Sequence, residues 1–232
     1  MERAGRSAEG RQRWRIVFRR TPLPEAAGQL DAWANALAAS GLPVIRRADE
    51  PVPMRPSLAA PLPAAFAGEG EMLDVILSER LPVDVVRRRL ADSIPDGCTL
   101  VDIHDVWLGE PALPGRVVAA DYRIVLGGDG PLPDGDEVRE AAATLLAADA
   151  LPRERDRGAS RVAYDLRPLL VDVRLADAGP PPAIDCRVRF DPERGVGRPA
   201  EVVAALAEVV GVPSLRAASV VRRRLLLEDD PG

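Results

Sequence analysis

The sequence predicts an α+β protein built from two tandem ferredoxin-like units, each running β-α-β-β-α-β with an antiparallel sheet. Stretches of strict apolar alternation and stretches of helical spacing follow one another in the same order twice. Tyr122-Arg123-Ile124-Val125-Leu126 repeats the aromatic-Arg-Ile-Val-apolar pattern of Trp14-Arg15-Ile16-Val17-Phe18, as an internal duplication would leave it. Only 3% of the 232 residues are aromatic, while 19 are glycine and 23 proline, so the elements are short and the core aliphatic. On this reading residues 1–13 are a disordered tail, 14–115 the first unit and 116–232 the second.

In the first unit, Trp14, Ile16 and Phe18 share one strand face and Arg13, Arg15 and Arg19 the other. Leu30, Trp33 and Leu37 recur at helical spacing between Pro24 and Ser40, with Gly41 placed for a left-handed cap. Leu42 to Ile45 starts a second strand, and Asp49 to Pro63 is a proline-rich loop that no regular ladder can enter. Alternation of Leu73, Val75 and Leu77 predicts a strand over Met72–Ser78. A helix from Pro82 stacks Val86, Leu90 and Ile94, and Leu100–Leu108 closes the unit as a strand. Gly109 to Gly115 is a linker.

The second unit opens with the strand Tyr122–Leu126. A helix runs from Asp136 to Ala148, and Arg153–Arg161 is a charged loop. Leu169–Leu175 and Ile184–Phe190 alternate as strands on either side of the turn at Asp177–Pro182. Pro199 suits the first position of a helix carrying Val202, Val203, Leu206 and Val209, capped by Gly211. Val220–Leu227 is the last strand. Each sheet would have helices on one face, leaving Arg15, Arg123, Arg187, Arg189 and part of Arg222-Arg223-Arg224 on the other. Alternation forces at least one of that triplet toward the opposite face from its neighbours.

Composition excludes several classes of function. Lys+Arg 31 against Asp+Glu 36 gives a net charge of −5, which rules out a globally basic nucleic-acid binder. No apolar run is long enough to span a bilayer, and residues 1–13 lack a signal-peptide core, so no membrane association and a cytoplasmic address are expected. Cys98 and Cys186 read as buried thiols. Two remote cysteines and one histidine cannot close a zinc site. His104 and Asp102 lie on one side of a strand, yet no nucleophile is tied to them, and a solvated strand face gives the same letters. Gly127-Gly128-Asp129-Gly130 lacks the Gly-Lys-Ser/Thr element of a phosphate loop and reads as a turn. Base stacking on the sheet is disfavoured, because Trp14, Phe18, Tyr122 and Phe190 alternate opposite to the arginines. No catalytic residue, metal ligand or cofactor emerges from these patterns.

Several segments taken in order resemble the bacterial radical-SAM-linked (radical-SAM-associated) proteins, a domain family of unknown function found beside or fused to cobalamin-binding radical SAM enzymes. They are Arg15-Ile16-Val17-Phe18, Ala38 to Val44, Ala60-Pro61-Leu62-Pro63 with Gly68 to Val75, Tyr164-Asp165-Leu166-Arg167-Pro168-Leu169, Gly197-Arg198-Pro199, and Arg222 to Glu228. The chain departs from the family where a Ser-His-Leu-Asp helix and a Gly-Phe-Asn-Pro-His-Pro-type loop are usual. It has Gly28-Gln29-Leu30-Asp31 and Pro51 to Ser57 there, keeping only Leu30, Asp31, Pro56 and Ser57. Without three clustered cysteines it is not the radical enzyme itself.

The resemblance implies a non-catalytic accessory or substrate-recognition protein for a radical SAM enzyme. RNA is the first substrate it suggests, and it implies no cofactor in this chain. The candidate ligand or partner-binding residues are Asp31, Arg55, Asp165, Arg167, Arg198, Arg222 and Arg224. Two other classes are weighed: an enzyme acting on RNA or a small molecule through Asp31, Asp102 or His104 in a cleft between the two units, and a structural dimerisation module.

Overall fold

The computed structural model describes residues 10–23, 28–46, 53–157 and 160–230. Most of the predicted tail, the first turn of the predicted first helix, part of the proline-rich loop and the tip of the charged loop lie outside them. The chain divides into two compact units, Met1–Arg116 and Val117–Gly232. It is a mixed α/β structure with four α-helices among the described residues, and the strand pairings within each unit are antiparallel.

The first unit contains β1 (Gln12–Arg20), α1 (Gln29–Ala39), β2 (Ser57–Leu58), β3 (Ala67–Leu77), α2 (Val83–Ala91) and β4 (Cys98–Val106). Its strands lie in the order β2-β3-β1-β4. Trp14, Ile16 and Phe18 from β1 meet Leu73, Val75 and Leu77 from β3, and Trp33, Leu37, Val86 and Leu90 cover them from the helices. The Phe18 and Trp33 rings pack with centroids 4.7 Å apart and planes tilted by 55°, close to the offset that ring quadrupoles favour.

Two expectations for this unit are corrected. β1 starts at Gln12, whose Oε1 accepts from Leu81 N at 2.9 Å, so the tail ends two residues before the predicted strand. Leu42–Ile45 supplies only a bridge between Val44 and Leu77. The pairing strand is Ser57–Leu58, opposite Asp74 and Leu73, inside the segment assigned to a proline-rich loop. Pro56 and Pro61 flank two residues that keep their N–H groups, which is enough for a short ladder. The buried Arg20 fastens the rest of this loop through the carbonyls of Leu62 at 3.2 Å, Phe66 at 2.7 Å and Pro63. Prolines leave carbonyls without reciprocal N–H partners, and a guanidinium with five donors collects several of them at once.

The second unit contains β5 (Val117–Gly127), α3 (Gly135–Ala147), β6 (Pro152–Arg157), β7 (Ser160–Asp165), β8 (Leu170–Asp177), β9 (Ala183–Asp191), β10 (Gly195–Val196), α4 (Pro199–Val210) and β11 (Arg216–Leu227). The main strands run β11-β5-β9-β8, and β10 pairs with the end of β9. Helix α3 begins with a capping box: Asp134 Oδ1 accepts from Asp136 N and Glu137 N, both at 2.9 Å, and Glu137 Oε2 accepts from Asp134 N at 2.8 Å. Gly211 closes α4 with φ 68°, the left-handed conformation that glycine adopts without a Cβ penalty.

The charged loop expected at Arg153–Arg161 is instead the β6–β7 hairpin, a separate two-stranded sheet. Its charges alternate with the pleat, and Arg155 and Arg153 reach Glu201 and Glu208 on α4 at 2.9 and 3.1 Å. Tertiary ion pairs therefore stabilise a hairpin that hydrophobic alternation does not announce.

Candidate functional site

Three of the arginines expected on the sheet faces, Arg15, Arg123 and Arg187, are consumed by carboxylates of neighbouring strands. Arg15 donates from Nε and Nη2 to Asp74 at 2.9 and 3.1 Å, and Arg13 Nε donates to the same carboxylate at 2.9 Å. All three residues are buried. In the second unit Arg123 grips Asp185 at 2.9 and 3.0 Å, and Arg187 grips Asp121 at 2.7 and 3.0 Å. Arg15 and Asp74, Arg123 and Asp185, and Arg187 and Asp121 sit opposite one another in the strand register, so a planar guanidinium meets a carboxylate with both prongs. The Arg123 hydrogen bonds hold the Asp185 carboxyl below its ordinary range against the opposing effect of burial. Arg189 remains exposed, with no ion pair among the described residues.

The candidate residues separate into three settings. In the first unit Arg55 Nη2 lies 3.0 Å from Asp31 Oδ1, both side chains being exposed. Gly28, Gln29 and Leu30 share one shallow cavity with Pro56 and Ser57, so the two segments that depart from the family pattern adjoin in space. On β11, Arg222 is 1% exposed and in register with buried Tyr122, whereas Arg224 is exposed and Nη2 lies 3.5 Å from Asp230 Oδ2. The triplet thus divides between faces.

The third setting is an open cavity of about 1240 Å³ in the second unit, bordered by Asp165, Arg167 and Arg198 together with Arg155, Tyr164 and Arg194. Arg167 is a structural clamp there. Its Nε and Nη2 donate to the carbonyls of Ala148 and Leu146 at 3.1 and 2.8 Å, which closes the C-terminal end of α3, and its Nη1 donates to Leu170 O at the start of β8 at 2.8 Å. Asp165 Oδ1 accepts from Leu151 N at 2.7 Å and Arg167 N at 2.9 Å and so fixes the turn after β7. The Asp-Leu-Arg-Pro letters serve the hairpin and α3 before any ligand.

Arg155, which the sequence did not single out, is the most organised cation of the cavity. Nε and Nη2 reach both oxygens of Glu201 at 2.9 to 3.1 Å, Nη2 also reaches Val196 O at 2.9 Å, and the guanidinium carbon stands 4.3 Å over the Tyr164 ring. The Tyr164 hydroxyl is enclosed without a hydrogen bond of good geometry, and its burial, reinforced by Glu201, pushes the phenol up to about 12. Position Glu201, at the third residue of a helix opened by Pro199, was the available signal for an arginine partner on a neighbouring element.

On the edge of the first sheet, His104 Nδ1 lies 2.9 Å from Asp102 Oδ2, both being exposed. The hydrogen bond from His104 holds the Asp102 carboxyl below its ordinary value of 3.8. Burial raises the Cys98 thiol to about 11 and the Cys186 thiol to about 12, so neither is a thiolate near neutrality. Trp107 lies beyond the end of β4 and is 74% exposed, whereas its place within the predicted strand had hidden it. Among the described residues no cluster of histidine, cysteine, aspartate and glutamate could hold a metal ion, and no helix is long and apolar enough to cross a membrane.

Comparison with known proteins places this geometry in context. No sequence among curated proteins matches the chain. Among solved structures, a chain in the crystal structure of a Cbf5-Nop10-Gar1 complex matches with a TM-score of 0.53 over 92% of this chain at 8% identity. The present chain spans 50% of that one's length, and the likeness is one of fold alone. Residues 50–199, from the proline-rich loop to the first residue of α4, match the family described as an uncharacterized protein conserved in bacteria. With most of its length covered by that match, the chain belongs to the bacterial family DUF2344.

Proposed function

We propose that this chain is a non-catalytic, cytoplasmic accessory protein that recognises a substrate for a radical SAM enzyme, with RNA the substrate class to test first. The carrying observation is the open cavity of the second unit, which places Arg198 and Arg194 at a rim around pre-organised Arg155. Its polar groups hold and orient rather than transfer protons: Arg155 stays cationic beside Glu201, and Tyr164 stays protonated. The same reading takes each unit as a ferredoxin-like fold. Orders β2-β3-β1-β4 and β11-β5-β9-β8 support it, since each has the first and third main strands central. Co-purification of the tagged chain from its host, with crosslinking to RNA, tests the function. Recovery of a radical SAM enzyme and of crosslinked RNA is expected; absence of both would overturn it.

A second reading, an enzyme in its own right, is favoured by one observation, the exposed Asp102–His104 pair. An Asp102→Asn variant separates the two: full cellular function in that variant leaves recognition as the role.

A further inference from the structure

We infer that the cavity of the second unit is a phosphoryl-binding site in which Arg155 is the fixed donor and Arg194 and Arg198 are the closing ones. The inference rests on the recognition role proposed above and names the chemistry that role would read.

Most of the donors of Arg155 are already spent. A guanidinium has five N–H donors in a rigid fork. Nε and Nη2 are committed to Glu201 and Val196 O, while Nη1 has no partner among the described residues. The side chain is 18% exposed and lines the cavity although Nε and Nη2 are held. It lies beside Gly195, where φ is 95° and a Cβ would stand 3.5 Å from Nη1. Glycine therefore permits the turn beside Nη1. Three hydrogen bonds to Glu201, one to a carbonyl and a ring beneath the plane fix the orientation before any ligand arrives, which lowers the entropy lost on binding.

The neighbouring cations differ. Among the described residues the exposed Arg198 has no side-chain ion pair, and Arg194 reaches only its neighbour Asp191, at 3.5 Å. An acceptor-rich anion gains more from both than that long contact gives Arg194. Among the acids that line the cavity, Asp165 is occupied by two backbone N–H groups, whereas Asp149 and Glu193 are exposed to solvent, which screens their charge; Glu201, outside the lining, is already neutralised by Arg155. A phosphoryl group fits this set because several oxygens can be shared among separate guanidinium groups, with Nη1 at the base and two long side chains folding from the rim.

The test titrates the full-length chain with inorganic phosphate, AMP and a short single-stranded RNA, following the arginine side-chain N–H signals by NMR and the affinity by calorimetry. Saturable shifts at Arg155, Arg194 and Arg198 are expected. The double substitution Arg194→Ala/Arg198→Ala should weaken phosphate binding by about tenfold or more while the circular dichroism spectrum is unchanged. RNA binding that phosphate competes away would assign the group to RNA; binding of phosphate or AMP alone would assign it to a free ligand, and either upholds the site. Shifts absent throughout the titration, or equal affinities in the parent and the double variant, would overturn it. RNA capture by the cell-derived protein that survives the double substitution would overturn this site while leaving the recognition role standing. Conversely, phosphate binding without any radical SAM or RNA partner would remove that role and leave the site.

Discussion

Asp74 carries two guanidinium groups in a buried setting, and the cost of removing it follows from what it leaves behind. Arg13 and Arg15 both spend Nε on its oxygens and are themselves buried. Asp74→Ala should destabilise the protein by about 3–5 kcal/mol, because two buried cations lose their shared counter-charge; urea unfolding measures it. Arg167→Ala, which releases two carbonyls at the end of α3 and one at the start of β8, should cost about 1–3 kcal/mol in the same assay. The pH response of Asp102 has a definite sign. Its folded value is depressed below 3.8, so its contribution is present above 3.8 and is lost as pH falls through the folded value. Exposure keeps that contribution small, but carboxyl NMR should find His104→Gln moving the titration back toward 3.8. At this scale the sequence showed which arginines share a face but not their partners. Asp74, Asp185 and Asp121 lie 59, 62 and 66 positions from Arg15, Arg123 and Arg187, and only the strand register joins them.

At the scale of elements, legibility followed the hydrophobic signal. β1, β3, β5 and β9 alternate apolar residues toward a core, and α2 and α4 repeat them at helical spacing, so their places were readable. β2 was not, because two residues between prolines carry no period, and the β6–β7 hairpin was not, because its alternation is of charge. That hairpin is attached to α4 through Arg155–Glu201 and Arg153–Glu208. Glu201→Ala should therefore raise amide exchange across Pro152–Arg157 and Ser160–Asp165 while α1 and α2 keep their protection, a pattern that hydrogen-exchange mass spectrometry resolves. Loss of protection spread evenly over both units would contradict a local attachment. The same change frees Arg155 from its orienting partner, so it should weaken phosphate binding even though the cation remains.

For the whole molecule, the decisive quantity is how many cations remain available to an anionic partner. The chain has a net charge of −5, and the sheet-face pairs Arg15–Asp74, Arg123–Asp185 and Arg187–Asp121 each close within one unit. Nucleic acid spread over a sheet face would have to break bidentate pairs, and it would find Trp14, Phe18 and Tyr122 buried rather than offered for stacking. Binding confined to the second unit's cavity engages Arg155, Arg194 and Arg198 and little else. Each neutralised phosphate of a single strand contributes about −0.7 to the slope of log affinity against log salt, so that slope should be shallow, about −0.7 for one phosphate shared by the three guanidinium groups and no steeper than about −2 where neighbouring phosphates are also met. Titrations of a short single-stranded RNA at several salt concentrations read it directly. The Arg194→Ala/Arg198→Ala protein should show a slope nearer zero, since it loses two of the three contacts. A slope steeper than about −5 would mean that the face arginines abandon their carboxylates for phosphate, and recognition would then belong to the sheets instead of the cavity.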